Sequence, residues 1–398
     1  MALNVYWVER PRSIKLKVLC WMTTEQQSTE FPKRVMLVIH SMRGGGAERQ
    51  MSYLANEMVT RSATSLVTLA ETGNDAYLLD SRIERIGLGL TTRRGGLFRG
   101  LFANISRIRA IRRWIRSWRP DVVVSFCDST NILTLIACPS KIPVVISERS
   151  DPRRQKLSRF WELLRKKYYP KCKICIAQTN EVGGYLISHR LVAPSKIIVI
   201  PSAIKIPKMD TRAIEAARKW IQPKILIYLG RLSREKRVDR LLKAWASLTE
   251  HHLAWQLRII GDGLERASLQ TMATELGIEK GVQWTLWSDE IWSSLFSANA
   301  YCLVSEYEGF PQSMLEAMAS GLPVAVLDCS PSIRLTISNG VDGLIIPSED
   351  QISSVLNRLL SSESLCNSLG QSAATRARDF EWCEIAPHWL AAIATATS

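Results

Sequence analysis

Two stretches half a chain apart begin in the same way, and this repetition constrains the fold more than any other feature. Arg34–Ile39 is a short, β-branched run that enters a loop holding Gly44, Gly45 and Gly46. Beyond the loop, Met51, Leu54, Ala55 and Met58 recur on one helical face. Lys224–Leu229 enters Gly230-Arg231-Leu232-Ser233-Arg234-Glu235-Lys236, and Val238, Leu241, Leu242 and Trp245 then follow at helical spacing. Strand, turn and helix, started twice in 398 residues, predict an α/β chain with two doubly wound sheets. Other strands are expected at 65–69, 121–126, 143–147, 173–177, 197–200, 257–260, 323–327 and 340–345. Pro201-Ser202-Ala203-Ile204-Lys205-Ile206-Pro207 reads as the linker between the halves.

The stretch 305–321 carries the most chemistry. The apolar residues 300–304 predict a buried strand, which ends in an acidic turn. Pro311 then opens a short helix that Gly321 closes. A strand that stops before a helix N-terminus is where an open α/β sheet holds an anion. Glu308 lies in the turn and Glu316 inside the helix. Carboxylates accept hydrogen bonds from hydroxyls, and the free amides of the first helical turn suit phosphate. A ligand with hydroxyls on both sides of a phosphate group, such as a nucleotide-sugar, satisfies that arrangement. The glycines at 44–46 let the backbone approach a ligand, although their spacing does not meet the dinucleotide fingerprint.

Net charge is +15, and residues 91–173 hold 20 Lys and Arg against 5 Asp and Glu, an excess equal to that of the whole chain. Such a patch suits a polyanion: nucleic acid, an anionic membrane surface or a diphosphate-bearing substrate. Residues 101–119 combine a helical apolar stripe with six arginines, and burial of the stripe with solvated arginines is an equally good account. Residues 149–173 surround Phe160, Trp161, Leu164 and Tyr168 with Arg153, Arg154, Lys156, Arg159, Arg165, Lys166 and Lys167. Aromatic and basic residues so mixed favour the headgroup region of an anionic membrane, with Arg153, Arg154, Trp161, Lys166 and Lys167 facing it. A nucleic-acid-binding protein is the distant alternative, since no RNA- or DNA-binding signature accompanies the charge. No apolar run reaches the roughly 18 residues of a membrane helix. Nine cysteines, an odd number, suit reduced thiols in a cytoplasmic protein; Cys172 and Cys175 are read as structural, because no second ligand pair accompanies them. The opening 33 residues do not read as a signal peptide, because Lys15 and Lys17 interrupt short apolar stretches. They are expected to be a disordered extension or an overlong start before Met22.

Four motifs together resemble the family 4 retaining glycosyltransferases: the 44–49 loop, Gly230 to Lys236, Gly261-Asp262-Gly263, and the two acids with their Gly309-Phe310-Pro311. The similarity extends from about Val35 to the C-terminus. The Ser147-Glu148-Arg149-Ser150-Asp151-Pro152 stretch is similar to bacterial enzymes that extend glycans on undecaprenyl diphosphate. The resemblance implies a GT-B fold, two Rossmann-like domains facing each other across a cleft. Residues 34–202 would form the acceptor-side domain and 203–379 the nucleotide-sugar domain, with a last helix at 380–398 crossing back to the first.

It also implies roles. Arg231 and Lys236 would hold the leaving diphosphate, with the Ser313 and Met314 amides adding to them. Glu308 would face the donor sugar beside the backbone of Gly309 and Phe310, and Glu316 would hold the ribose. Gly45 and Gly46 would close over the diphosphate from the other domain. Asp128 and His40 fall on the acceptor side, where a turn-forming aspartate and a loop histidine are equally good readings. The implied enzyme retains anomeric configuration and uses neither metal nor cofactor. It would move a hexose or N-acetylhexosamine from a UDP-sugar to a polyprenyl-diphosphate-linked glycan, peripherally on the inner face of the cytoplasmic membrane. A soluble or protein acceptor is the alternative. Relatives carry glycine near Leu286, in the loop that lines the base; here the loop reads Trp284-Thr285-Leu286-Trp287.

Overall fold

The computed structural model describes residues 31–73, 75–91, 97–207, 223–249, 252–287 and 291–398. The expectation of a disordered extension at 1–33 lies outside them, apart from its last three residues. The first sheet contains β1 (Arg34–Ile39), β2 (Ala63–Thr68), β3 (Glu84–Gly87), β4 (Val122–Phe126), β5 (Val144–Ser147), β6 (Ile174–Ala177) and β7 (Ile197–Val199). They lie in the order β3-β2-β1-β4-β5-β6-β7 and every pairing is parallel. The second sheet contains β8 (Lys224–Leu229), β9 (Trp255–Ile260), β10 (Val282–Thr285), β11 (Ala300–Leu303), β12 (Val324–Leu327) and β13 (Leu344–Ile346). Its order is β10-β9-β8-β11-β12-β13, again with parallel pairing.

A parallel sheet buries both faces of its inner strands, which are therefore near-continuous apolar runs. In β1, Val35, Leu37 and Ile39 pack on the layer of the Gly46–Met58 helix. Met36 and Val38 face the opposite layer, beneath the helices Leu97–Trp118 and Asp128–Ala137. The order in which strands are added to the sheet reverses between β1 and β4 in one sheet and between β8 and β11 in the other. At such points adjacent loops diverge and leave a crevice at the carboxyl ends of the strands.

The two halves touch through more than the crevice. Ile204 bridges Glu381, with Ile204 N donating to Phe380 O (2.8 Å) and Trp382 N donating to Ile204 O (2.7 Å). The Trp382–Thr397 helix that follows buries Trp382, Ile385, Trp389 and Ile393 against the first sheet. Its Trp389 ring lies 5.4 Å from that of Phe126.

Three local expectations are corrected. The edge strands β3 and β10 were not anticipated, and β13 begins at Leu344 rather than at residue 340. Gly340 has φ +79° and Asn339 bridges Gly343, so the first residues of that stretch form a turn. Within 149–173 only Arg159–Tyr168 is α-helical, and its Arg165 is fully buried rather than solvated.

Candidate functional site

The loops after β8 and β11 flank the switch point of the second sheet and bring together residues far apart in sequence. Lys236 Nζ donates to Glu308 Oε1 at 2.6 Å, and Ser305 Oγ donates to the same oxygen at 2.7 Å. Glu306 N donates to Glu235 O at 2.9 Å, fastening the two loops through the backbone. Arg231 is exposed on the same loop. Burial acts to raise the Glu235 carboxyl, but the Ser233 hydroxyl, its own backbone, Arg231 and Lys236 outweigh it and leave the group below its ordinary value.

Gly261 and Gly263 show why a glycine pair after β9 belongs to this site. Both have positive φ, +149° and +158°. A Cβ at Gly261 would stand 1.9 Å from Gly230 O, and one at Gly263 2.1 Å from Leu232 O. Leu232 N donates to Asp262 O at 2.8 Å across this contact. The close backbone approach, which only glycine permits, sets the course of the Gly230–Lys236 loop.

The helix Gln312–Ala319 begins directly after the acidic turn. Leu315 N is its first amide with an acceptor upstream, Pro311 O at 3.4 Å. The Gln312, Ser313 and Met314 amides therefore form the orphan first turn. Ser313 Oγ is bonded to the Tyr301 hydroxyl (2.8 Å), and the Met314 and Phe310 side chains are buried. Phe310 packs against Phe380, with ring centroids 5.8 Å apart. The side chains of Phe310 and Met314 are thus spent on the core.

The Gly46–Met58 helix of the first half starts opposite this point. A Cβ at Gly46 would lie 3.6 Å from Gln312 Cβ, so the two helix starts face each other across the cleft. Gln50 Nε2 donates to Gln312 Oε1 (3.1 Å) and to Ala203 O (2.5 Å), and Gln312 Nε2 donates to Ala203 O (2.8 Å). Arg49 forms an ion pair with Glu316, both groups nearly fully buried. Its guanidinium carbon lies 5.1 Å from the Tyr77 ring centroid and 5.8 Å from that of Trp287. Tyr77 in turn donates to Gly45 O at 3.0 Å. Trp287, in the loop where the sequence departs from the family pattern, thus stands near Arg49, the partner of Glu316, and both it and Leu286 are exposed.

His40 and Asp128 flank the switch point of the first sheet, His40 in the loop after β1 and Asp128 at the first position of the Asp128–Ala137 helix after β4. His40 Nε2 stands 3.2 Å from Glu48 Oε1. Asp128 accepts from Ser129 N at 2.6 Å, and its other oxygen lies 3.8 Å from Arg165 Nη2. The residue between β4 and Asp128 is Cys127, at φ 73°. A non-glycine residue held there is strained, and such strain concentrates at functional sites. Below Asp128, Glu148 is fully buried; Tyr169 OH donates to its Oε2 at 2.9 Å and Arg165 Nη2 lies 3.4 Å from it. Burial, against the pull of Arg165, pushes the Glu148 carboxyl up to about 7.

The five residues read as membrane-facing divide. Arg153, Arg154, Lys166 and Lys167 are exposed, Arg153 being paired with Asp151 at 2.7 Å, whereas Trp161 is half-buried against the first domain's core. Phe160 and Leu163, on the same helix, are 49% and 67% exposed. Sequence reasoning missed Arg49, Gln50, Tyr77 and Gln312. Arg49, four residues past Gly45, carried a usable signal, since a helix begun at that glycine directs its first turn toward the loop's ligand. Among the described residues no group of three or more His, Cys, Asp or Glu side chains gathers as a metal site, and none of their helices is long and apolar enough to cross a membrane.

Two Rossmann-like halves with their strand ends facing across a cleft define the GT-B class of glycosyltransferase. Comparison with known proteins gives the family. The model for Glycosyltransferase Family 4 matches residues 44–206 and that for Glycosyl transferases group 1 matches 201–376. The chain belongs to the family 4 glycosyltransferases and is similar to bacterial transferases of undecaprenyl-diphosphate-linked glycans. One such relative, from Campylobacter jejuni, is the alpha-1,4-N-acetyl-D-galactosaminyltransferase of GalNAc-alpha-(1->4)-GalNAc-alpha-(1->3)-diNAcBac-PP-undecaprenol. It is 26% identical over 365 residues, 91% of this chain and 98% of the relative. Among solved structures, the lipopolysaccharide outer core galactosyltransferase WaaB in its apo form is 20% identical, with TM-score 0.68 over 90% of this chain and 99% of that one. Anabaena HepE, in complex with UDP and glucose, is 17% identical, with TM-score 0.71 over 89% of this chain and 97% of that one.

Proposed function

We propose that this glycosyltransferase moves a hexose or N-acetylhexosamine from a UDP-sugar to a glycan carried on a polyprenyl diphosphate, with retention of configuration and without a metal. The observation that carries the reading is the facing of two helix starts, at Gly46 and Gln312, beside the loop that holds Arg231 and Lys236. Each helix start bears about half a positive charge and a set of orphan amides. Transfer from a nucleotide-sugar builds negative charge on the departing diphosphate, and preorganised donors lower that barrier most when they await the charge. Arg231, Lys236 and the first-turn amides at Ser313 and Met314 would supply them. Gly45 and Gly46 let the opposite backbone close over the same group.

Glu308 would face the donor sugar and Glu316 would hold the ribose, each paired with a cation in the free protein until hydroxyls replace it. The domain boundary belongs to the same reading: 34–202 with the last helix on the acceptor side, 203–379 on the donor side. His40 and Asp128 lie where an acceptor hydroxyl would enter. The HepE complex and the Campylobacter relative favour UDP and a lipid-linked glycan respectively. On the outer surface, exposed Phe160 and Leu163 sit beside Arg154, Lys166 and Lys167. That tip suits peripheral docking on the anionic inner face of a bacterial cytoplasmic membrane.

The experiment is a donor screen. The purified protein is given a panel of nucleotide-sugars and membrane-extracted polyprenyl-diphosphate glycans, with and without chelator, and products are read by mass and anomeric configuration. A hexose or N-acetylhexosamine increment from a UDP-sugar, unchanged by chelator, is expected. Transfer only from another nucleotide-sugar, or only with a divalent ion, would sink the corresponding part.

A further inference from the structure

Arg149 follows β5 at the point where the first half meets the acidic turn of the second. A Cβ at Gly309 would lie 2.4 Å from Arg149 O and 3.1 Å from Gln178 Oε1, so this backbone forms the wall against which the Glu308–Gly309 turn rests. Side chains alternate along a strand and its extension. Glu148 accordingly turns toward Arg165 and Tyr169, while the Arg149 guanidinium lies 5.2 Å from the Phe126 ring centroid on the other face.

Its hydrogen bonding is incomplete. Nη2 donates to Ser202 Oγ at 2.8 Å, an oxygen that also accepts from Gln178 Nε2 at 2.8 Å. Nε and Nη1 are shielded from solvent and have no acceptor. The nearby carboxylates are engaged elsewhere: Glu148 with Arg165 and Tyr169, Asp128 with Arg165, Asp151 with Arg153, and Glu48 with His40 and Ser41. A buried guanidinium without a carboxylate is costly, and fold stability gives no reason to keep it. Burial pushes this group down to about 10, partly opposed by the Cys127 thiol. Its surroundings therefore disfavour the charge that arginine carries.

We propose that Arg149 is a substrate-binding residue whose unpaired Nε–H and Nη1–H donors receive an oxyanion, phosphate or carboxylate, of a substrate seated against the Gly309 turn when the cleft opens. Each unpaired N–H of the cation would donate a charge-assisted hydrogen bond to an oxygen of such a group. The oxyanion comes either from the donor's diphosphate or from the acceptor. The inference rests on the glycosyl-transfer reading of the cleft and adds a contact to it.

Arg149→Met and Arg149→Lys separate these cases. Binding of UDP is measured by titration calorimetry, the acceptor KM by product mass, and folding by thermal midpoint. A rise of about tenfold or more in the UDP dissociation constant of Arg149→Met, partly recovered in Arg149→Lys, identifies a donor phosphate. The same rise in acceptor KM with UDP affinity unchanged identifies an acceptor oxyanion. In both cases the free Arg149→Met protein melts no lower than wild type, because an uncompensated buried charge has gone. A variant that keeps both constants, or that melts lower and loses only folded fraction, overturns the inference and makes Arg149 a structural residue. Wild type without UDP binding or transfer would instead fail the reading of the site itself.

Discussion

Lys236 Nζ stands 2.6 Å from Glu308 Oε1, and this one contact joins the loop after β8 to the loop after β11 across the switch point of the second sheet. Side chains 72 positions apart meet because parallel strands deliver their loops to one edge. The pair neutralises itself in the free protein; on the proposed reading, a diphosphate and a sugar hydroxyl would reopen it by offering the two groups separate partners. Lys236→Ala is therefore expected to lower kcat by about 100-fold or more while leaving the fold intact, the scale of losing a preorganised oxyanion donor. Lys236→Arg should recover part of it. Steady-state kinetics checks this, and normal turnover in the alanine variant would remove Lys236 from the diphosphate.

Arg49 and Glu316 make the corresponding contact between the two halves. Both are buried, so removing either strands the other as an unpaired charge, at about 3–5 kcal/mol. Removing both should cost clearly less than the sum of the single losses. Denaturant titration of Arg49→Met, Glu316→Gln and the double variant measures the difference. Strict additivity would show that the pair does not form in solution. On the proposed reading that Glu316 accepts from the ribose hydroxyls, Glu316→Ala is also expected to weaken UDP binding by about tenfold or more.

What the sequence made legible follows from how each feature is encoded. Apolar strands such as Arg34–Ile39 and Lys224–Leu229 stand out because a parallel sheet buries both faces. The edge strand Glu84–Gly87 was invisible, since its polar residues and single inward-facing side need no such pattern. The acids at 308 and 316 were found because turn and helix residues mark their places. Arg49 was missed because its partner is 267 positions away, and no local pattern encodes a contact between domains. The basic stretch at 149–173 misled in one respect. Composition could not show that Arg165 turns inward to Glu148 while Lys166 and Lys167 stay in solvent.

Those two lysines make a separate test. With Leu163 they occupy the exposed side of the Arg159–Tyr168 helix. Each basic residue near an anionic surface contributes about 1 kcal/mol. Lys166→Glu/Lys167→Glu should therefore reduce sedimentation with phosphatidylglycerol vesicles by at least tenfold in partition coefficient, with solution binding of UDP unchanged. Equal partitioning of both proteins, or equal binding to neutral vesicles, would show the basic tip to be incidental.

Glu148 predicts a pH dependence with a definite sign. Burial, countered by Arg165, holds its carboxyl near 7 in the folded chain, against about 4.5 for an ordinary glutamate. Between those values the folded protein binds more protons than the unfolded one, so stability falls as pH rises through the window. Glu148→Gln cannot titrate. Wild type should therefore lose stability relative to this variant from about pH 5 to 7, by on the order of 2–3 kcal/mol, and the difference should level off above. Thermal midpoints of both proteins across pH 5–8 measure it. A difference that does not change with pH would mean that Glu148 is charged throughout.

Gly261 tests whether backbone contact, rather than any side chain, holds the basic loop in place. Its φ of +149° disfavours any L residue, and a Cβ there would meet Gly230 O at 1.9 Å. Carbonyl oxygens in a sheet-edge turn have little room to yield, because Gly230 N is itself fixed to Ile260 O at 3.0 Å. Gly261→Ala must therefore push the Gly230–Lys236 loop away from β9, at a cost of more than about 2 kcal/mol. The displacement also separates Lys236 from Glu308, so kcat should fall further than the loss of folded protein explains. Gly277→Ala is the control: that glycine has φ +70° but open space around its Cβ position. It should lose stability through backbone strain alone and keep its turnover per folded molecule. Equal turnover per folded molecule in both variants would show that the loop keeps its course without the Gly261 contact.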